Sequence, residues 1–191
     1  MAGVITASES SWIVPFTGLS PRQFGKLITA LRREGADPVR KGRPWSLPLE
    51  DRVLLVAAYW RTNLTLRQLA PLFEVSKSAA DRIIDHLGPA LALQQRKRFR
   101  KDAVGKTTVI ADGGYRGTGL VIPHRREPGQ AELPDWKEEH NASHRKVRAR
   151  VEHAFARMKT WKILRDCRLK GDGVHHAMLG IARLHNLTLA G

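Results

Sequence analysis

With 191 residues, 42% of them apolar, the chain can build one ordinary domain or two small ones. Its 33 Lys+Arg against 18 Asp+Glu leave a formal charge of +15, of which +8 falls before about residue 100 and +7 after it. An excess spread over both halves excludes a neutral domain with a charged tail. It calls for a polyanion: nucleic acid first, an anionic membrane surface second. One cysteine, Cys167, excludes an intrachain disulfide. No apolar run nears the ~18 residues that span a bilayer, and Met1 to Ser11 lacks a signal peptide's basic flank and apolar stretch. The expectation is a soluble cytoplasmic protein.

In chain order, Ser20-Pro21 predicts a helix through about Arg33, with Ser20 as cap and Pro21 at the first helical position. Phe24, Leu27, Ile28 and Leu31 fall on one face of it. Gly35 to Trp45, with Arg40, Lys41 and Arg43, reads as a basic linker. Pro48 begins a second helix with Leu49, Val53, Val56 and Trp60 on one side.

Asn63 to Leu87 is the most informative N-terminal segment. Thr65 caps a short helix carrying Leu66, Leu69 and Ala70. Phe73-Glu74-Val75 turns the chain, and Ser76 caps a helix bearing Ala79, Ala80, Ile83, Ile84 and Leu87, which Gly88-Pro89 is expected to stop. Two short helices joined by a tight turn describe a helix-turn-helix. The N-terminal residues of its second helix, here Ser76, Lys77, Ser78, Asp81 and Arg82, would face base edges. Any three-helix bundle offers a similar pattern; the outward Lys77 and Arg82 favour the DNA-reading alternative. The run Arg96 to Lys101 reads as a solvated hinge that could also hold phosphates.

Beyond residue 101, Thr107 to Ala111 has a short buried-strand pattern ending at Asp112-Gly113-Gly114. Leu120-Val121-Ile122 is a candidate second strand. Pro128 to Asn141 reads as loop, Ala142 to Trp161 as a basic helix, and Val174 to Leu189 as a final amphipathic helix. Gly105-Lys106-Thr107 resembles the end of a phosphate-binding loop, but Arg100 stands where its first glycine belongs. His140 and His144, four apart, and the adjacent His175-His176 lack the partners of a zinc site.

The pair with chemical potential is Asp112, at a strand end, and Glu152, on the basic helix. Arg148, Glu152 and Lys159 share one helical face, with Arg145 about a turn before Arg148. An acid among bases suits a divalent cation bound against a DNA backbone. The alternative is a surface helix joined by an Arg148–Glu152 pair worth a few tenths of a kcal/mol, roughly.

These residues together resemble a known family. Thr17 to Ser20, Lys41 to Pro44, Leu55 to Tyr59 and Thr65 to Leu87 are similar to the N-terminal helix-turn-helix of bacterial insertion sequence 5 transposases. Asp112-Gly113-Gly114-Tyr115 and Arg148-x3-Glu152-x6-Lys159 are similar to the segments bearing the second and third acids of their DDE domain, a ribonuclease H-like fold. One position departs: Arg145 stands where many relatives have Tyr. The resemblance implies a mainly α chain with a small β element. Residues 1–95 would be a helix-turn-helix DNA-binding domain, 96–106 a basic hinge and 107–191 a truncated DDE domain. It implies double-stranded DNA as partner, in the form of terminal inverted repeats, with a possible homo-oligomer and a nucleoid location. Asp112 and Glu152 would be the catalytic and metal-binding acids, for Mg²⁺ or Mn²⁺. Ser76, Lys77, Ser78, Arg82, Arg145, Arg148 and Lys159 would be DNA contacts.

The family's first Asp lies on an opening strand well before the second. Here only Phe99 to Lys106 precedes the Asp112 strand, too little for that strand, its neighbours and a crossover, which alone takes about ten or more residues. Asp102 is the one carboxylate in the gap, and it follows a basic run. The expectation is an internal deletion and impaired metal-dependent phosphoryl transfer. Two alternatives stay open: a transcription regulator with a structural C-terminal half, and an active endonuclease recruiting Asp102.

Overall fold

The computed structural model describes residues 4–38, 44–93, 110, 120–169 and 171–190. Among these the protein is mainly helical. A 3₁₀ turn, Ser10–Trp12, precedes α1 (Ile13–Thr17), α2 (Pro21–Arg33), α3 (Leu49–Thr62), α4 (Leu66–Leu72), α5 (Lys77–Leu91), α6 (Asp135–Lys159), α7 (Lys162–Arg165) and α8 (Gly173–Leu189). The chain divides into two compact units, residues 1–93 with 158–191, and residues 94–157.

Local chemistry accounts for the starts of α2, α4 and α5 in the first unit. The Gln23 amide donates to Ser20 Oγ (3.3 Å) and the Ser20 amide to Gln23 Oε1 (2.9 Å), a reciprocal cap before Pro21. Phe24, Leu27, Ile28 and Leu31 are all buried, as their spacing predicts. Helix α3 starts at Leu49, with Pro48 as its cap, and is apolar almost all round. Beyond Leu49, Val53, Val56 and Trp60 it also buries Leu54, Leu55, Ala57 and Ala58. A helix buried on every side is the centre of a bundle, and α1, α5 and α7 pack around it. Its one buried charge, Arg52, pairs with Asp37, donates to the Leu47 carbonyl (3.1 Å) and lies 5.2 Å from the Trp45 ring centroid.

Helix α5 corrects the expected stop at Gly88-Pro89: it continues to Leu91. An interior proline costs about 3 kcal/mol of helix propensity. Continuation buries Leu91 and Ala92, and Gly88 lies against His176 of α8, where an added Cβ would sit 3.8 Å from the His176 Cβ. Burying Leu91 alone is worth about 1.5–3 kcal/mol, so packing offsets the proline.

Helix α8 closes this bundle. Ala177, Gly180, Ile181 and Leu184 are buried, and the Trp60 ring lies over Gly180 so closely that an added Cβ would be 2.5 Å from Cζ3. Arg183 forks onto Glu34 (2.6 and 2.9 Å) and donates to the Ala90 carbonyl (3.1 Å). Gln23 Nε2 donates to the Leu187 carbonyl (2.9 Å), and the Leu93 amide to that of Leu179 (3.3 Å). At α7, the Arg61 guanidinium stacks 4.0 Å from the Trp161 ring centroid.

In the second unit, α6 begins at Asp135, so Asp135 to Asn141 of the expected loop is helical. Pro134 precedes Asp135, and Asp135 and Glu138 in the first turn complement the helix dipole. Ile110 and Val121, one from each candidate strand, form an isolated parallel bridge; no strand is formed among the described residues. Residues 107–109 and 111 of the first candidate strand lie outside the described residues. No helix here is long and apolar enough to cross a membrane, among the described residues.

Candidate nucleic-acid interface

The helix-turn-helix is built as its residues dictate. The Gln68 side chain reaches back to accept from the Thr65 amide (3.1 Å) and hydroxyl (2.8 Å), starting α4. Phe73 is fully buried under the turn, and Glu74 takes a left-handed φ of 51°, which reverses the chain. Ser76 Oγ then accepts from the Ala79 amide (3.1 Å) and starts α5. Ala80, Ile83 and Leu87 point into the core, which leaves Ser76, Lys77, Ser78, Asp81 and Arg82 exposed on the opposite side. Arg82 Nε donates back to the Ser78 carbonyl (3.2 Å), drawing the guanidinium toward the N-terminal end of the helix. Free amides and the positive dipole end there favour an anionic ligand.

A cleft of about 320 Å³ adjoins that end, lined by Pro44, Trp45, Ser46, Ser76, Ala79 and Arg82 among others. Trp45 stacks on His86 of α5 (5.5 Å, 29°). Pro44 and Trp45 therefore border α5 rather than lying free in a basic linker, and a tryptophan directly after a basic run is the sequence signal for it. Arg40, Lys41 and Arg43 lie outside the described residues, as does the Arg96 to Lys101 run.

On α6, Arg145, Arg148, Glu152 and Lys159 are all exposed along one unbroken helix, so their spacing places them on one face as expected. Arg148 Nη2 donates to Glu152 Oε1 (3.3 Å). Glu152 is 66% exposed, a setting in which such a pair contributes little to stability. A neighbouring face carries Val147, Val151 and Phe155, exposed at 38%, 48% and 58%. Four-residue spacing makes these three a stripe, an unusual display of apolar surface on a charged helix.

Asp112 and Asp102 lie outside the described residues, so the meeting of Asp112 with Glu152 does too. Among the described residues no group of three or more His, Cys, Asp or Glu side chains is placed to hold a metal ion. Glu152, exposed and bonded to Arg148, does not form such a set with its described neighbours.

At the other end of α6, buried Asn141 clamps the preceding loop: the His124 amide donates to Oδ1 (2.8 Å) and Nδ2 donates to the His124 carbonyl (3.0 Å). This seats the His124 ring against Trp136 (5.2 Å) and His140 (4.8 Å), beside a cleft of about 580 Å³ that Arg125 and Arg126 also line. Partial desolvation, then the charges of His140 and Lys137, push the His124 pKa below its ordinary 6.5. The unfolded chain thus takes up this proton first as pH falls through 6.5, and the folded arrangement loses its contribution below that point. In a histidine NMR titration His124 is expected to titrate below 6.5, with the Trp136 signal following it; a His124 midpoint above that value contradicts the seating.

Residues 45–95 match the family described as helix-turn-helix of DDE superfamily endonuclease, and residues 86–187 match the transposase DDE domain. The chain is also 65% identical to a curated Streptomyces albus G protein, provisionally named as the transposase for insertion sequence element IS112, with all of both chains covered. That alignment runs over 256 positions, whereas this chain has 191 residues. At least 65 internal positions of the relative therefore have no counterpart here. No solved structure matches the chain.

Proposed function

The chain belongs to the DDE superfamily of insertion-sequence transposases, and from that premise we propose that it binds the ends of its element while lacking the strand-cutting activity of intact relatives. The observation that carries this reading is the internal shortfall of at least 65 positions in a chain otherwise aligned from end to end. Its natural place is the 96–106 hinge, where the sequence leaves no room for an opening strand and its acid. On this reading the chain retains a 1–95 DNA-binding domain and a 107–191 remnant of a ribonuclease H-like domain with a small β element, a reading supported by the bridge between Ile110 and Val121. Membership of the insertion sequence 5 group rests on the Asp112-Gly113-Gly114-Tyr115 and Arg148-x3-Glu152-x6-Lys159 segments. The uncovered stripe on α6 fits the same account, since a helix loses its apolar cover when the layer beneath it is deleted.

In this reading Ser76, Lys77, Ser78 and Arg82 contact DNA from α5, and Arg145, Arg148 and Lys159 contact phosphates from α6. Asp112 and Glu152 remain as a vestigial acid pair for Mg²⁺ or Mn²⁺, with the family's first acid gone. Terminal inverted repeats of the element, bound on the nucleoid, are the expected partner, and a symmetric pair of ends would suit a homo-oligomer.

Binding of duplex DNA is expected to fall about 10²-fold or more between 50 and 200 mM salt, because each phosphate contact contributes about 0.9 to the log–log slope. Lys77→Ala and Arg82→Ala should each lower that slope by about 1. An affinity indifferent to salt, measured by fluorescence anisotropy, would remove the phosphate contacts from the account.

A further inference from the structure

Helix α5 presents a contradiction that points to base selection. In a chain of charge +15, the outward face proposed to meet DNA carries exposed carboxylates at Asp81 and Asp85 beside Lys77 and Arg82. Neither acid joins an ion pair or hydrogen bond among the described residues, although Lys77 stands one turn before Asp81. Arg82 turns away, bonding the Ser78 carbonyl. An unpaired carboxylate brought against phosphates weakens binding at every sequence, unless a donor on a base edge meets it.

We propose that Asp81 is a specificity-determining residue that accepts a hydrogen bond from the exocyclic amino group of a cytosine in the major groove. This rests on the reading of α5 as the DNA-facing helix. Asp81 lies in the second turn, whose residues such a motif brings to base edges. Asp85 lies further along, where it lines a separate cleft with Tyr59 and His176. An ionised carboxylate only accepts. Guanine and thymine offer it acceptors, and adenine sets an N7 acceptor beside its amino group. Cytosine alone presents a donor with no competing lone pair. The Asp81 charge is felt at Tyr59, whose phenol pKa is raised by burial first and by Asp81 next.

The test selects bound duplexes from a library of randomised sites, using the full 191-residue chain as wild type, Asp81→Ala, Asp81→Asn and the double variant Lys77→Ala/Arg82→Ala. Wild type is expected to prefer C·G about tenfold or more at one position. Asp81→Ala should reduce that preference to within about twofold and bind mismatched sites equally well or more tightly. Asp81→Asn should move the preference to adenine, which pairs bidentately with a carboxamide. A cytosine preference that survives Asp81→Ala, or a wild type that selects no cytosine, overturns the proposal. If Asp81→Ala changes nothing while the double variant weakens binding, Asp81 alone fails. If the double variant also binds unchanged, the assignment of α5 as the DNA-facing helix fails with it.

Discussion

Inserting the internal residues that the Streptomyces relative has and this chain lacks, at the 96–106 hinge, is expected to raise divalent-metal-dependent cleavage of element-end DNA by about three orders of magnitude or more. The expectation follows from the number of acids. In intact relatives divalent ions would supply the charge stabilisation for displacement at phosphorus, and converging carboxylates would have to hold them. On the proposed reading, a chain left with Asp112 and Glu152 would hold at most one Mg²⁺, and weakly, since that ion keeps most of its waters unless several oxygens converge. Glu152 is well exposed and occupied with Arg148 (3.3 Å), which fits an acid without a site to serve. Within the restored protein, Asp112→Ala and Glu152→Ala should each abolish cleavage; in the shorter chain neither should change the background. A second readout separates restored packing from restored chemistry. The stripe of Val147, Val151 and Phe155 should lose its binding of an apolar fluorescent dye once the added residues cover it. If the 191-residue chain already nicks DNA with Mg²⁺ or Mn²⁺ at the restored protein's rate, the impairment argument is wrong, and Asp102 becomes the acid to examine.

Gly180→Leu is expected to unfold the DNA-binding unit, although residue 180 has no proposed contact with DNA. Its Cβ would fall inside the contact distance of the Trp60 ring, 2.5 Å from Cζ3, and Trp60 is 2% exposed at the centre of the bundle. Overpacking of this kind costs about 1–3 kcal/mol where neighbours can yield, and more where they cannot. Trp60 is confined by the helices packed around α3, so the upper end applies. Loss would include the Arg183–Glu34 fork and the docking of Leu184 and Ile181, with a lower thermal midpoint and weaker DNA binding in parallel. A smaller side chain opposite should recover part of the loss: Trp60→Leu combined with Gly180→Leu is expected to be more stable than Gly180→Leu alone. Equal stability of Gly180→Leu and wild type would mean that α8 does not dock on α3 as described.

That second expectation marks the boundary of what could be read from the residues in order. The starts of α2, α4 and α5 were legible because a cap is a conversation between residues three apart: Ser20 with Gln23, Thr65 with Gln68, Ser76 with Ala79. The common face of Arg145, Arg148, Glu152 and Lys159 was equally legible, since it follows from helical pitch alone. The family's segments carried the resemblance because residue type and spacing agreed together. Where the reading missed, the deciding contact was distant in sequence. Gly88-Pro89 looked like a stop, yet Leu91 is buried and α8 packs against Gly88. Asp135 to Asn141 looked like loop because the stretch is polar; it is the first two turns of α6, in which Asn141 faces inward to clamp His124.

From its residues alone, then, the chain determined its charge, its caps, its helix-turn-helix and the shared face of α6, all of which depend on neighbours within a turn or two. The tertiary structure alone decided that residues 158–191 complete the bundle begun by residues 4–93. It also decided that Trp60 takes a glycine as its partner and that the Glu152 carboxylate faces solvent beside Arg148. The physical reason is that burial is a property of a whole packed unit: which apolar face covers which is settled by shape and volume across more than a hundred residues of separation, and no local pattern encodes it.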